Sequence, residues 1–293
     1  MRKAASRVSR ASGRHRGASL IEVMVSMVIG LVVVGAVMVN YLGVGVTGKQ
    51  QSAYAQMTED AQIAFSVLTR ELLTAGYAQP TGWAGGTSTF SRTYVSGTPA
   101  LALYGCDSGF ATPNATALSC GTGTSAAISV AYEADTSTAV VHSTGVPTDC
   151  LGNALTAQTT AGPPTVTFFV AQNRYFVATN TSTIPELYCV SPGNSQQALV
   201  ENVESMTVRY GVEGAIAKQA AVYVPAASVT DWGRVVGVRI CLVMRSSEPV
   251  LTSEDLAIRN TYLNCNQVAT TLPDRYARRA FFTTIALRNR MAY

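Results

Sequence analysis

The 293-residue chain predicts an α+β protein: one long N-terminal helix, first apolar and then amphipathic, packed on an antiparallel β-sheet head. Three observations carry that reading. Val23 to Leu42 is apolar apart from Ser26 and Asn40. From Lys49 to Ala75, apolar residues recur every three or four positions. Beyond residue 125 come short β-branched and aromatic runs, the clearest with period two. The expected organisation is a basic leader over 1–17, a helix over 18–76 and a β-rich head over 77–293.

The leader holds six Lys or Arg (Arg2, Lys3, Arg7, Arg10, Arg14, Arg16) and no acid. Positive charge before an apolar run keeps a leader on the cytoplasmic side. The apolar stretch, taken as 20–42, is long enough as a helix to cross a hydrocarbon core of about 30 Å. Glu22 sits just inside it. A carboxylate in hydrocarbon costs roughly 2.5–3.5 kcal/mol at a helix centre, and less near an end. A charge there calls for a partner cation. Gly43, Gly45 and Gly48 follow, each costing about 1 kcal/mol in a helix, so a weak joint is expected. The amphipathic part, 49–76, carries Met57, Ala61, Ala64, Leu68 and Leu72 on one stripe, with Phe65 and Leu73 widening it. Gly76 is the expected stop.

Gln79 to Ser125 is rich in Gly, Thr, Ser and Pro and reads as loops with short strands such as Ala100 to Tyr104. Strands are predicted over Ala127 to Tyr132, Val166 to Val170 and Arg174 to Ala178. The last two are joined by a tight turn at Gln172-Asn173. Leu187 to Val190 and two runs within Leu199 to Tyr210 follow. Arg234 to Arg245 alternates with one fully apolar face (Val236, Val238, Ile240, Leu242, Met244). Ala280 to Leu287 is the expected final strand. Glu254 to Asn264 is polar and ambiguous.

Six cysteines (Cys106, Cys120, Cys150, Cys189, Cys241, Cys265) all follow the apolar run. An even number on the outer side of a membrane favours disulfides. Connectivity does not follow from spacing; pairing neighbours in order gives Cys106–Cys120, Cys150–Cys189 and Cys241–Cys265. The formal charge is +4, but without the leader's six cations 15 of the 21 basic residues remain against 17 acidic ones, a net of −2. The basic balance therefore belongs to the leader, and nucleic acid is not an expected partner of the mature chain. A hydrophobic content of 47% fills a core and excludes disorder.

The stretch RGASLIEVMVSMVIGL resembles the class III signal of type IV prepilins. That resemblance implies cleavage by a prepilin peptidase between Gly17 and Ala18 and N-methylation of Ala18. It places the family's membrane glutamate on Glu22, which would pair with the Ala18 amino group of an adjacent subunit. Ala18 stands where the family more often has Phe. LLTAGYAQP, ALVENVESMTVRYGV, VVGVRICLVMRS and RRAFFTTIALRNR, in that order, resemble the PilW family of type IV pilus minor pilins. The family implies a type IV pilin-like fold and a non-enzymatic subunit. Such a subunit waits in the inner membrane with its head in the periplasm, then joins the pilus at the cell surface. Its implied partners are other minor pilins, the major pilin, a large tip adhesin, the prepilin peptidase, the inner-membrane assembly platform and the lipid bilayer. Its implied roles are initiation of assembly, adhesion and twitching motility. A pseudopilin of a type II secretion system shares signal and fold. An ordinary signal peptide or signal anchor is the plain alternative for the N-terminus, and it leaves Glu22 without a purpose.

Catalytic chemistry is poorly provided for. His142 is the only histidine after the leader, too few for a histidine-rich metal site or a flexible choice of triad. No metal or cofactor is expected. Gly121 to Ser125 lacks the lysine of a phosphate loop. Glu201, Glu204, Glu254 and Asp255 read as solvated charge. Arg275, Arg278, Arg279, Arg288 and Arg290 cluster near the end and could touch DNA, although Tyr276, Phe281 and Phe282 fit strand packing as well. A membrane-anchored envelope enzyme and a DNA-uptake pilin are thus the weaker readings.

Overall fold

The computed structural model describes residues 17, 19–84, 87–90, 102–159, 165–216 and 218–291. The leader up to Arg16, Ala18 and the start of the expected Ala100 to Tyr104 strand lie outside the described residues. The chain forms two compact units, Met1–Lys49 and Gln50–Tyr293. Helix α1, Leu20–Thr74, contributes to both.

In the first unit α1 is helical through Gly43, Gly45 and Gly48, so the expected weak joint is not a break. The described large apolar side chains from Leu20 to Val46 are 41–79% exposed. In the second unit the same helix is one-sided. Met57, Ala61, Ala64, Leu68, Leu72 and Ala75 are each no more than 1% exposed. Gly76 ends the helix at φ 75°, a left-handed value that glycine adopts without a Cβ penalty.

Fourteen strands are described: β1 Pro80–Ala84, β2 Thr87–Phe90, β3 Leu103–Cys106, β4 Ala127–Ala134, β5 Ala157–Thr159, β6 Thr167–Thr179, β7 Pro185–Val190, β8 Gln197–Glu201, β9 Val203–Glu213, β10 Ala220–Val224, β11 Val235–Arg245, β12 Thr261–Leu263, β13 Ala269–Thr271 and β14 Arg278–Ala286. A short helix, α2, occupies Ser253–Ile258. One sheet runs β3-β4-β6-β7-β8, with β5 added to β6; another runs β10-β9-β11-β14. β1-β2 and β12-β13 are hairpins, and every pairing is antiparallel. The α1 stripe packs into one core with Leu103, Ile128, Val130 and Leu187 of the first sheet and Met206, Tyr210, Ile240 and Leu242 of the second. The backbone amide of Gly76 donates to the Ala131 carbonyl at 2.9 Å, tying the helix end to β4.

One expectation needs correction. β6 is one unbroken strand through Gln172-Asn173, not two strands and a turn. Gln-Asn lacks the glycine that a tight hairpin turn favours, and Asn173 and Arg174 have partners inside the protein. β11 has the alternation and the fully apolar face read from the sequence, and its other face is also buried except at Arg239 and Arg245. Its second face carries Cys241, bonded to Cys265 between β12 and β13, which holds that hairpin against the sheet.

Candidate functional site

In the first unit the helix surface is exposed among the described residues. Ser19 begins it: its carbonyl accepts from the amides of Glu22 at 3.0 Å and Val23 at 3.1 Å. Glu22 therefore lies in the first helical turn, where the helix dipole stabilises an anion by about 0.3–1 kcal/mol. Its carboxylate has no hydrogen bond or ion pair among the described residues. The polar residues along the run turn back on their own helix. Ser26 Oγ donates to the Glu22 carbonyl at 2.6 Å, and Asn40 Nδ2 to the Ala36 carbonyl at 2.9 Å. Thr47 Oγ1 donates to the Gly43 carbonyl at 3.0 Å. Side chains satisfied in this way remove much of the cost of placing them in lipid. The helix is long and apolar enough to cross a membrane, with a mean hydropathy of 2.6 in its most apolar window.

Several of the head's buried polar groups bond inside the fold. Arg174, fully buried, donates through Nη1 to the Pro113 carbonyl at 2.6 Å and to the Ala115 carbonyl, and through Nη2 to the Thr116 carbonyl at 3.2 Å. Burial lowers its pKa to about 10. It clips the loop that Cys106–Cys120 also closes. The neighbouring Asn173 side chain donates to Glu71 at 2.7 Å and accepts from the Cys150 amide at 3.0 Å. Glu71 lines a cavity of about 210 Å³ with Arg70, Tyr132, Asp149 and Tyr175. Burial pushes its pKa up, while the hydrogen bond from Asn173 opposes that shift. Glu71, Asn173 and Arg174 escaped the sequence reading. The one available signal was a polar pair between two strand-like runs with no glycine to turn them.

The cysteines are joined as Cys106–Cys120, Cys150–Cys189 and Cys241–Cys265. Each bond ties a loop to a strand: the first to β3, the second to β7, the third to β11. Two of the C-terminal arginines bond groups of the head itself. Arg278 is 7% exposed and pairs with Glu204 and with Asp274, each at 2.6 Å. Arg275 Nε donates to the Leu251 carbonyl at 2.7 Å. Glu204 is therefore an ion-pair partner rather than solvated charge. Asp255 likewise closes a capping box with Thr252 at the start of α2 and accepts from Gln50 at 2.8 Å. His142 sits in a turn beside Thr144, Nδ1 to Oγ1 3.0 Å, and no acid partner adjoins it among the described hydrogen bonds. No group of three His, Cys, Asp or Glu able to hold a metal occurs among the described residues.

Residues 174–289 match the family described as Type IV Pilus-assembly protein W. Residues 12–38 match the prokaryotic N-terminal methylation motif. No curated protein matches the chain. Among solved structures, a type IV-like pilin from Thermus thermophilus is similar over 80% of this chain and 98% of its own, at 14% identity and a TM-score of 0.38.

Proposed function

We propose that this chain, a type IV pilin-like structural subunit with a pilus-assembly protein W domain and an N-terminal methylation motif, works as an initiating minor pilin. It is cut between Gly17 and Ala18 and methylated on Ala18. Its apolar segment 20–42 holds it in the inner membrane with the β-rich head in the periplasm. From there it assembles with other minor pilins and the major pilin, and helps display a large tip adhesin, supporting adhesion and twitching.

One observation carries this reading most directly. Glu22 stands at the start of an exposed apolar helix with no partner among the described residues. Cleavage after Gly17 would create an α-amino group four residues before it. Amine and carboxylate on adjacent subunits would then neutralise each other in lipid, where either alone is costly. Glu22→Val removes the anion but leaves the leader and Gly17 in place. Membrane insertion and cleavage should persist, while crosslinking to neighbouring pilus subunits and the number of surface pili fall. Crosslinking and piliation at parental levels would reject the pairing role.

A further inference from the structure

Arg209 in β9 and Arg239 in β11 are direct cross-strand partners on the outer face of the four-stranded sheet. Opposed side chains stand about 4.5–5.5 Å apart at Cβ, and like charges there destabilise the pairing. Arg239 is exposed and Arg209 partly so. Neither makes an ion pair among the described residues.

Their contacts are all neutral. The Arg239 guanidinium lies 4.5 Å from the centroid of the Tyr223 ring, and its Nε donates to Thr284 Oγ1 at 3.4 Å. Arg209 Nη2 donates to Asn266 Oδ1 at 3.5 Å. Glu213, two positions beyond Gly211 on the same strand face, is occupied by the Lys218 amide. The surface is kept flat by glycine: a Cβ on Gly211 would meet the Tyr223 ring at 3.0 Å, and one on Gly237 its hydroxyl at 3.3 Å. The ring therefore lies against the sheet and supports Arg239.

The fold gains nothing from setting two guanidinium groups side by side. A pair of planar donor forks matches carboxylates well. We infer that this face docks an acidic patch, a pair of Asp or Glu side chains, on a neighbouring protein subunit. The inference rests on the reading that the chain is an assembled subunit. A phosphodiester chain fits less well. Thr207, Tyr223, Phe282 and Thr284 around the two arginines on this face are uncharged, the nearby Arg234 is engaged with the Glu213 and Gly214 carbonyls, and the chain without residues 1–17 is net negative.

The test places a photocrosslinking amino acid at Thr284, beside the pair, and separately at Met27 in the apolar run. Both go into the full chain in cells that assemble the fibre. Thr284 should capture a subunit peptide containing Asp or Glu. R209E/R239E should reduce that capture by about tenfold or more, and lysines at the captured acids should restore it. Met27 capture, membrane level and the three disulfides should stay unchanged in the double variant. Thr284 capture that ignores R209E/R239E, capture of nucleic acid, or absence of lysine rescue would overturn the docking face. Met27 capture without any at Thr284 overturns it too and leaves the subunit reading standing. Capture at neither position removes both.

Discussion

The two stretches of α1 solve the same problem in opposite ways. From Leu20 to Val46 the helix is apolar around its circumference, and its large apolar side chains are 41–79% exposed. From Gln50 onward it is apolar on one stripe, and Leu68 and Leu72 are 1% exposed. A stripe of period 3.6 can be buried by one sheet. An all-round apolar surface cannot, so it requires lipid or other helices on every side. The difference separates what the chain stabilises by itself from what it leaves for its surroundings. Charge follows the same division. Arg174 in the head finds three carbonyls inside its own fold, while Glu22 finds none among the described residues.

The contrast breaks first by truncation. Leu68→Ala in the stripe should cost about 2–5 kcal/mol of head stability, because it opens a cavity in a closed core. Val33→Ala in the apolar run should change head stability by less than about 0.5 kcal/mol. Denaturant unfolding of the full chain in detergent, followed through the head's aromatic signal, compares the two. Equal losses would mean that the two stretches are not energetically distinct.

A smaller effect is expected at Gly105 in β3. A Cβ there would collide with the buried Tyr210 hydroxyl, which has nowhere to move within the Tyr104–Trp232–Tyr210 cluster. Gly105→Ala should cost about 1–3 kcal/mol in the same unfolding measurement. An unchanged midpoint would show that the cluster can relax.

Glu71 gives the smallest effect and a pH signature. Its folded pKa lies above its ordinary value, chiefly from burial. The folded state then binds more protons than the unfolded one, so stability falls as pH rises from about 4.5 through the raised pKa. Glu71→Gln removes that slope while keeping an oxygen for Asn173. Unfolding midpoints across pH 4 to 8 should therefore fall less steeply in the variant than in the parent, the remaining slope coming from Asp60 and Glu133, which burial also raises. A parental slope in the variant would assign the pH dependence to other groups.

Much of this division is legible in the residues themselves. The stripe Met57, Ala61, Ala64, Leu68 and Leu72 announces the buried helix face by spacing alone, and β11 announces itself by alternation. Pattern fails where a polar residue is paid for internally. Gln172-Asn173 looks like a turn because polar residues in mid-strand are usually solvated, yet Asn173 bonds Glu71 from 102 residues away. Glu204 and Arg278, 74 residues apart, give no local sign of their pairing. The second face of β11 was hidden for the same reason: its cover arrives with Cys265, 24 residues further on. The Glu22 segment is the reverse case. The basic residues before it, Gly17 and the carboxylate are close in the chain, so the sequence states the proposed chemistry more fully than the fold does.

That chemistry is open to one direct measurement, the mass of the N-terminal peptide of the protein taken from membranes. The account predicts a chain beginning at Ala18 with a methylated α-amino group. A chain that keeps Met1 would contradict it, since the Ala18 amine would not exist, and so would one beginning after Leu42, which would lack Glu22 itself.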